Sequence, residues 1–407
     1  MEKISPTKNI SYRELTDDII TLSKHEKSSH NFYKKIKSLK NIKFKIRAPE
    51  KLWTALFFLF KNPSNETSIN TLFEFTENNT TLDLSIPEIL LISASLMRAS
   101  AFDLALSFRD SAQKLALEAP INSIFSNENL FAYHIASLYE KGDYNRIEST
   151  IIESKKSNLM SDKYYRKEEQ IRGIFSKTSK KKSCEFSDFI RNKSIAVVSP
   201  AHSLKLDGDE IDSYDLVVKC NHRINSSREA AIKGKRCDIS YYSTAIANYI
   251  EEYSIDIDNL ISWQVYKSES FINSKYSLHP RKRSTTYFDY IFFTGSLTAI
   301  PNLLIDLITH GAGKIKVFHA DLMTTYKRTL DYDPIKGSNG LEKFNNSIRD
   351  FSHHDPFTQF NLIKALKDNK LIDTDRELEK IISSGIKEFS RTLNESYAIK
   401  NHQWTKL

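Results

Sequence analysis

The sequence predicts an α/β fold in which a mostly parallel β-sheet, covered by helices on both faces, follows an all-α domain. Beyond residue 190, short apolar runs rich in β-branched residues alternate with stretches of helical periodicity. That alternation is typical of a parallel sheet with crossover helices. Before residue 180, apolar residues recur at intervals of three and four, as on one face of an amphipathic helix. We therefore predict an α-helical domain at residues 1–180 and an α/β domain at residues 190–407.

Strands and helices are expected to alternate through the α/β domain. The predicted strands are 195–198, 216–219, 238–242, 260–265, 290–293 and 314–318. The predicted helices are 226–233, 245–253, 296–309 and 356–369. This order indicates a Rossmann-like sheet, whose ligands bind beyond the carboxyl ends of the strands. The loops to examine are therefore 199–204, 220–226, 242–246, 294–297 and 319–325.

The helical domain contains a weak internal repeat. Ala94-Ser95-Leu96 is followed by Phe102, and Ala136-Ser137-Leu138 is followed at the same interval by Tyr144. The second copy, ASLYEKGDY, resembles the helix-turn-helix of tetratricopeptide-type repeats, with Gly142 at the turn. An ordinary helical bundle explains the pattern equally well. No cluster of catalytic residue types stands out in this domain.

The composition is basic, with 59 Lys and Arg against 51 Asp and Glu. This balance suits a phosphorylated substrate, an anionic polymer, a nucleic acid or a membrane surface, although abundant lysine alone explains it as well. Aromatic and basic residues are not interleaved as in RNA-binding modules, so we expect no nucleic-acid partner.

Cysteine usage and the N-terminus bear on the compartment. Cys184, Cys220 and Cys237 are too sparse for a disulfide framework and lack the spacing of a zinc site. The first residues lack the apolar core of a signal peptide, and the apolar run 52–60 is too short to span a bilayer. We expect a cytoplasmic protein. The alternative is a cytoplasmic protein that also contacts the surface of the inner membrane through basic patches.

Polar residues cluster in four of the loops predicted at the sheet edge. The segment Thr294-Gly295-Ser296 opens an apolar helix, where hydroxyls and free backbone N–H groups suit a phosphate or carboxylate. Each cluster alone is explained by a capped helix or a turn, but their recurrence with the spacing of one sheet favours a binding site. The candidate binding residues are Ser199, His202, Ser203, Asn221, His222, Arg223, Tyr242, Ser243, Thr294, Gly295 and Ser296.

Three motifs follow one another between about residues 193 and 370. The first runs from IAVVSPAHSL through IDSYD to VVKCN, which ends at Asn221, and on to Gly234-Lys235. The second is FFTGSLTAIPNLLIDLITHGAGKIKVFHADL, and the third is His354 with Gln359 five residues later. In order and spacing they resemble the CMP-sugar glycosyltransferases of the sialyltransferase type, both animal-like and small bacterial. Two positions depart from that pattern: Ser199 to His202 replace an Asn-containing loop, and Gln359 replaces an acid.

The resemblance implies a sialyltransferase-type glycosyltransferase fold and an enzyme that transfers a CMP-activated keto-deoxy sugar acid. Sialic acid and Kdo are equal alternatives for the donor sugar. The implied acceptor is a glycan or lipid-linked glycan in bacterial capsule or lipopolysaccharide biosynthesis. Such enzymes are similar in binding the donor without a metal, so we expect no cofactor and no metal site.

Three residues are candidates for the chemistry. His354, at the position of the final histidine of such enzymes, is the expected general base on the acceptor hydroxyl, with His353 as the adjacent alternative. Asp355 orients the imidazole or, by the simpler interpretation, caps the helix that starts at Pro356. Related bacterial CMP-Kdo transferases retain configuration through a proposed Asp nucleophile, and Asp321 is the candidate for that role.

Two further alternatives stay open. The basic segment 279–283, His-Pro-Arg-Lys-Arg, receives the sugar carboxylate or is a solvated charge run. The alternative hypothesis for the whole chain is a non-catalytic helical-repeat scaffold with a degenerate nucleotide fold. The altered first loop favours the scaffold, whereas Asn221, the Thr-Gly-Ser turn and His354 favour the enzyme.

Overall fold

The computed structural model describes residues 12–39, 45–62, 65–77, 84–175, 184–222, 229–243, 246–247, 261–267, 281–286, 288, 291–293, 296–325 and 350–398. Helices alone occupy the described part of the chain before the first strand. They are α1 (Tyr12–His25), α2 (Ser29–Lys37), α3 (Glu50–Lys61), α4 (Glu66–Glu77), α5 (Ile86–Arg98), α6 (Phe102–Glu118), α7 (Ile121–Ser126), α8 (Glu128–Lys141), α9 (Tyr144–Lys156), α10 (Asp162–Phe175) and α11 (Glu185–Ile190).

A parallel sheet of seven strands forms the second part. Its strands are β1 (Ile195–Val198), β2 (Leu216–Cys220), β3 (Ile239–Tyr242), β4 (Trp263–Tyr266), β5 (Lys282–Ser284), β6 (Ile315–Phe318) and β7 (Asp373–Thr374). Their spatial order is β5-β4-β3-β2-β1-β6-β7, with every pair parallel. The chain thus moves outward from β1 and then returns to its other side, which confirms the predicted α/β fold and leaves a switch point between β1 and β6.

The remaining helices connect or cover these strands. They are α12 (Gly208–Asp212), α13 (Ala230–Lys233), α14 (Ala299–Thr309), α15 (Pro356–Asp368), α16 (Arg376–Ser383) and α17 (Ile386–Ala398). The apolar strands were predicted to within three residues. The strand predicted at 290–293 was wrong for residues 291–293, which form a bend; residue 290 lies outside the described residues. The edge strands β5 and β7 were missed, since two or three polar residues carry no apolar run.

The internal repeat corresponds to two helix–turn–helix units with matching turns. Ser100, between α5 and α6, and Gly142, between α8 and α9, are 42 positions apart and both left-handed, with φ of 59° and 69°. After each, the next residue donates its N–H to the carbonyl five residues back, Ala101 to Leu96 and Asp143 to Leu138. These bonds satisfy the last carbonyls of α5 and α8 in the same way.

One apolar core runs through the helical part and one face of the sheet, from Leu15 to Tyr397. The C-terminal helix α17 packs on α6, where the Phe102 ring lies 4.9 Å from Phe351 and 5.9 Å from Tyr397. The two predicted segments are therefore joined by a shared core. Within the described residues, every helix is too short or too polar to cross a bilayer.

Candidate functional site

The carboxyl ends of β1, β2 and β3 lie side by side, because these strands are parallel neighbours. Ser199 follows β1, Asn221 and His222 follow β2, and Ser243 follows β3. Residues predicted from three separate loops thus meet at one edge of the sheet. This edge, at the ends of β1 to β4 and β6, is called the carboxyl edge below.

Asn221 joins the ends of β2 and β3. It is 1% exposed and has a left-handed backbone with φ of 54°, a conformation that Asn tolerates better than most residues. Its Oδ1 accepts the Ser243 N–H at 2.9 Å, and its own N–H donates to the Tyr241 carbonyl at 2.8 Å. Because the amide oxygen is engaged, the NH2 group is the part of Asn221 suited to donate to a ligand.

His222 and Tyr242 form a buried layer beneath the carboxyl edge. The His222 N–H donates to Ser240 Oγ at 3.0 Å, and the Tyr242 hydroxyl donates to the His222 carbonyl at 2.7 Å. The Tyr242 ring is 2% exposed and stacks on Tyr266 at 5.4 Å. Tyr242 therefore supports the loop after β2, and its contact with the nucleotide stays a prediction.

The loop after β1 is fixed by a buried lysine. Lys233, from α13, donates through Nζ to the carbonyls of Ser199 at 2.5 Å and Ala201 at 2.7 Å. Ser203 Oγ accepts the Lys205 N–H at 3.1 Å, whereas the His202 side chain is exposed. The buried ammonium places positive charge directly behind this loop, which favours an anion there.

The motif residues Asp212 and Gly234-Lys235 are in direct contact. The Asp212 carboxylate accepts the N–H of Lys235 at 2.7 Å and that of Arg236 at 3.1 Å. Gly234 has φ of 71°, and a Cβ there would lie 2.5 Å from Asp212 Oδ1. The glycine is needed because the turn is both left-handed and closed by this carboxylate. Both elements of the first motif thus hold the turn that leads into β3.

His354 and His353 converge on Ser296. His354 Nδ1 lies 2.7 Å from the Ser296 carbonyl oxygen and 3.3 Å from Ser296 Oγ, and His353 Nε2 lies 3.0 Å from the same hydroxyl. Since a carbonyl oxygen can only accept, His354 carries its proton on Nδ1. In the neutral ring the lone pair then belongs to Nε2, the nitrogen that acts as a base.

Lys267 connects this histidine pair to the carboxyl edge. It follows β4, and its N–H donates to the Tyr242 carbonyl at 3.2 Å. Its Nζ lies 3.4 Å from the carbonyl oxygen of Leu297, the residue after Ser296. The segment that holds His354 therefore lies at the same edge as Asn221, as predicted.

Asp355 is a structural residue. Its Oδ1 accepts the N–H of Phe357 at 2.9 Å and of Thr358 at 3.3 Å, which caps α15. Its Oδ2 accepts the Arg109 Nε–H at 2.7 Å and the Thr358 hydroxyl at 3.1 Å. These bonds fit the simpler interpretation, in which Asp355 caps the helix that starts at Pro356, and they add an ion pair with Arg109.

Gln359 caps a second helix of the site. Its Oε1 accepts both the N–H and the hydroxyl of Thr298, the residue before α14, at 3.0 and 2.9 Å. A carboxylate at this position accepts the same two bonds. The amide is therefore compatible with the helix that follows Ser296.

Asp321 closes the turn after β6. Its Oδ1 accepts the Met323 N–H at 3.1 Å, and its Oδ2 accepts the Thr325 N–H at 3.1 Å and hydroxyl at 2.8 Å. Leu322 and Met323 have left-handed φ of 47° and 68°, which such a carboxylate cap helps to maintain. The carboxylate of Asp321 therefore stabilises this turn. Because the hydrogen bonds share its negative charge, they also lower its nucleophilicity.

His319, also after β6, is enclosed by Asp207 and Asp375. The three offer polar atoms within 4.8 Å of one another, a grouping of the type that can bind a metal. His319 Nε2 lies 3.0 Å from the Ile232 carbonyl and so carries the ring proton, while the backbone N–H of His319 donates to Asp375 Oδ2 at 2.6 Å. Burial, followed by the charge of Lys233, lowers the His319 pKa. With the proton on Nε2, the lone pair of the neutral ring is on Nδ1, which is buried and has no hydrogen-bond partner among the described residues.

The described part of the basic segment is engaged elsewhere. Arg283, in β5, forms a bidentate pair with Asp306 of α14 at 2.6 and 2.9 Å, and the Tyr241 hydroxyl donates to the same carboxylate. Arg281 pairs with Glu185 at 2.9 Å. Arg283 holds the edge strand against α14, and binding of a sugar carboxylate by the segment 279–283 stays a prediction. Residues 279 and 280, like the predicted site residues Arg223, Thr294 and Gly295, lie outside the described residues.

The sequence prediction missed Arg109, which pairs with Asp355 from α6. Its neighbours on the buried stripe of that helix are Phe102, Ala105 and Ala112, at spacings of three and four. A charged residue on an apolar stripe is a detectable signal, because burial of a charge requires a partner. The partner itself, 246 positions away, has no local signal.

Searches against protein-family models, curated proteins and solved structures return no match to this chain.

Proposed function

We propose that this protein is a glycosyltransferase that moves a CMP-activated keto-deoxy sugar acid, sialic acid or Kdo, onto a glycan acceptor. One observation carries the proposal: His354, with its Nδ1 proton directed at the Ser296 carbonyl, lies at the edge where Asn221 and the loop after β1 meet. Proposed further are a lipid-linked or growing capsule or lipopolysaccharide chain as acceptor, a cytoplasmic site at the inner membrane and a tetratricopeptide-like helical part.

The proposed reaction inverts configuration. Nε2 of neutral His354 takes the proton from the acceptor hydroxyl, whose oxygen attacks the anomeric carbon as the bond to the CMP phosphate breaks. The sugar acquires oxocarbenium character, and the electron pair leaves with the phosphate as CMP. The Asn221 NH2 group and the positive charge of buried Lys233 favour that anion.

Retention through Asp321 is the less favoured alternative. A nucleophilic carboxylate needs an oxygen that is poorly solvated and directed at the anomeric carbon. Asp321 instead accepts three hydrogen bonds from Met323 and Thr325. These bonds support the inverting reaction with His354.

A nucleotide titration tests the proposal. We expect CMP to raise the melting temperature and to bind in calorimetry, with UMP and AMP at the same concentrations far weaker. If CMP neither raises the melting temperature nor binds in calorimetry, the proposal is contradicted and the non-catalytic scaffold is favoured. Mass spectrometry of products formed from CMP-Neu5Ac and CMP-Kdo, supplied separately, then identifies the donor sugar.

A further inference from the structure

Arg109, in α6, joins the helical part to the start of α15 in the α/β part. It is 2% exposed, and its guanidinium uses all three nitrogens. Nε donates to Asp355 at 2.7 Å, Nη1 to Glu140 at 2.6 Å, and Nη2 to Glu140 and to the Thr358 hydroxyl at 2.8 Å. Burial by itself lowers the pKa of Arg109, but the neighbouring carboxylates of Asp355 and Glu140 outweigh it and raise the pKa above its ordinary value, so the guanidinium stays charged.

Aromatic rings fix the plane of the guanidinium. The Arg109 Cζ lies 5.0 Å from the centre of the Phe293 ring and 5.9 Å from that of Phe357. The Phe293 ring is itself stacked on the ring of Tyr133 from α8, with the two ring centres 6.2 Å apart and an interplanar angle of 16°. A planar cation held by two rings and two carboxylates has one orientation available.

The segments that Arg109 contacts are those that carry the histidine pair. Phe293 is three residues before Ser296, and Asp355 directly follows His354. Ser296 and His354 in turn contact each other at 2.7 Å. Arg109 of α6 therefore contacts both segments that form the contact between Ser296 and His354, through Phe293 in one segment and Asp355 in the other.

We propose that Arg109 is a positioning residue, which makes the helical part of this chain a component of the transfer site. The inference rests on the proposed function for its kinetic consequence, but its geometric consequence is independent of it. Without the fork from Arg109, Asp355 keeps its bonds to the helix N-terminus but its Oδ2 loses its charged partner, and His354, the preceding residue, loses its alignment with the acceptor hydroxyl. Displacements of about 1 Å at a reacting group lower rates by about 100-fold.

Arg109→Lys tests this, because lysine keeps the charge but cannot donate to Asp355, Glu140 and Thr358 at once. We expect kcat to fall about 100-fold, with CMP affinity and donor KM within about twofold of wild type, since Asn221 and Lys233 are untouched. The matched control is Arg172→Lys. Arg172 pairs with buried Glu168 inside the helical part at 3.1 Å, and we expect it to leave all three quantities within about twofold.

A second readout separates this inference from the proposed function. In histidine-selective NMR, Arg109→Lys is expected to shift the His354 ring resonances and their titration midpoint, while Arg172→Lys does not. If the wild-type chain transfers no sugar, the proposed function fails and the resonances alone decide. Unchanged resonances, wild-type kcat, or equal losses of CMP affinity and kcat in Arg109→Lys overturn the inference. If that variant is insoluble, Asp355→Asn replaces it, since it keeps the cap on Phe357 and loses the charge.

Discussion

The Nδ1 atom of His354 lies 2.7 Å from the carbonyl oxygen of Ser296, a residue 58 positions earlier in the chain. This contact decides which ring nitrogen is basic, because the carbonyl requires a proton on Nδ1. It also places the ring against Ser296, which lies three positions before the first residue of α14. The same tautomer-fixing bond to a main-chain carbonyl is a common way to prepare an imidazole for proton transfer.

His354→Asn separates that bond from the base. The asparagine NH2 can still donate to the Ser296 carbonyl, but no lone pair replaces Nε2. We expect transfer to fall by about 100-fold to 10,000-fold, the usual contribution of a general base, with CMP affinity unchanged in calorimetry. His353→Asn is the comparison variant, because His353 is the alternative base and its Nε2 lies 3.0 Å from the Ser296 hydroxyl; the variant with the larger loss of transfer identifies the base. A His354→Asn variant with normal turnover removes His354 as the base.

Asn221→Asp tests the donor site with little change in shape. The aspartate retains an oxygen for the Ser243 N–H, but it replaces the NH2 donor with negative charge. Repulsion between unit charges at contact distance is about 1 kcal/mol in bulk water and about 4 kcal/mol near a protein surface, so CMP affinity should fall at least about fivefold. The control is Asn192→Asp, an exposed asparagine with φ of 59° that precedes β1 at the opposite end of the strand. Equal CMP affinities in the two variants would exclude Asn221 from the site.

Gly234→Ala should destabilise the fold more than Gly385→Ala does. Both glycines are left-handed, with φ of 71° and 84°, so both variants carry backbone strain. At Gly234 the new Cβ also meets Asp212 at 2.5 Å, whereas at Gly385 no atom lies within 4 Å. We expect the free energy of unfolding to be lower in Gly234→Ala than in Gly385→Ala by about 1 to 3 kcal/mol, measured by urea denaturation. Equal values would show that the turn yields to the methyl group.

The stability of the protein should depend on His319 below neutral pH. Its pKa in the folded chain is below the ordinary 6.5, so the unfolded chain takes up this proton first as the pH falls. His319 therefore contributes stability above about pH 6.5 that is lost on acidification, at up to about 1.4 kcal/mol per pH unit.

His319→Gln can still donate to the Ile232 carbonyl and does not titrate. Urea midpoints between pH 5 and 8 should vary less in this variant than in wild type. The comparison protein is His25→Gln, which changes an exposed histidine of α1. A slope in His319→Gln as steep as in wild type would mean that another group causes the acid sensitivity.

The sequence by itself determined the parallel sheet, the position of β1, β2, β3 and β6, and the meeting of Ser199, Asn221 and Ser243 at one edge. Apolar periodicity reports burial of each segment, and parallel strands align their carboxyl ends. Gly142 and Asn221 were identified for the same local reason, since each ends an element.

Only the tertiary structure decided which polar groups are available for chemistry. Three residues had the types expected of a site, yet their polar atoms form structural bonds. Asp355 caps a helix and pairs with Arg109, Asp321 closes a turn, and the Tyr242 hydroxyl donates to the His222 carbonyl. The edge strand β5 and the partner of Arg109 were equally hidden. Local patterns encode whether a side chain is buried, whereas the group that it pairs with is set by packing between segments far apart in the chain.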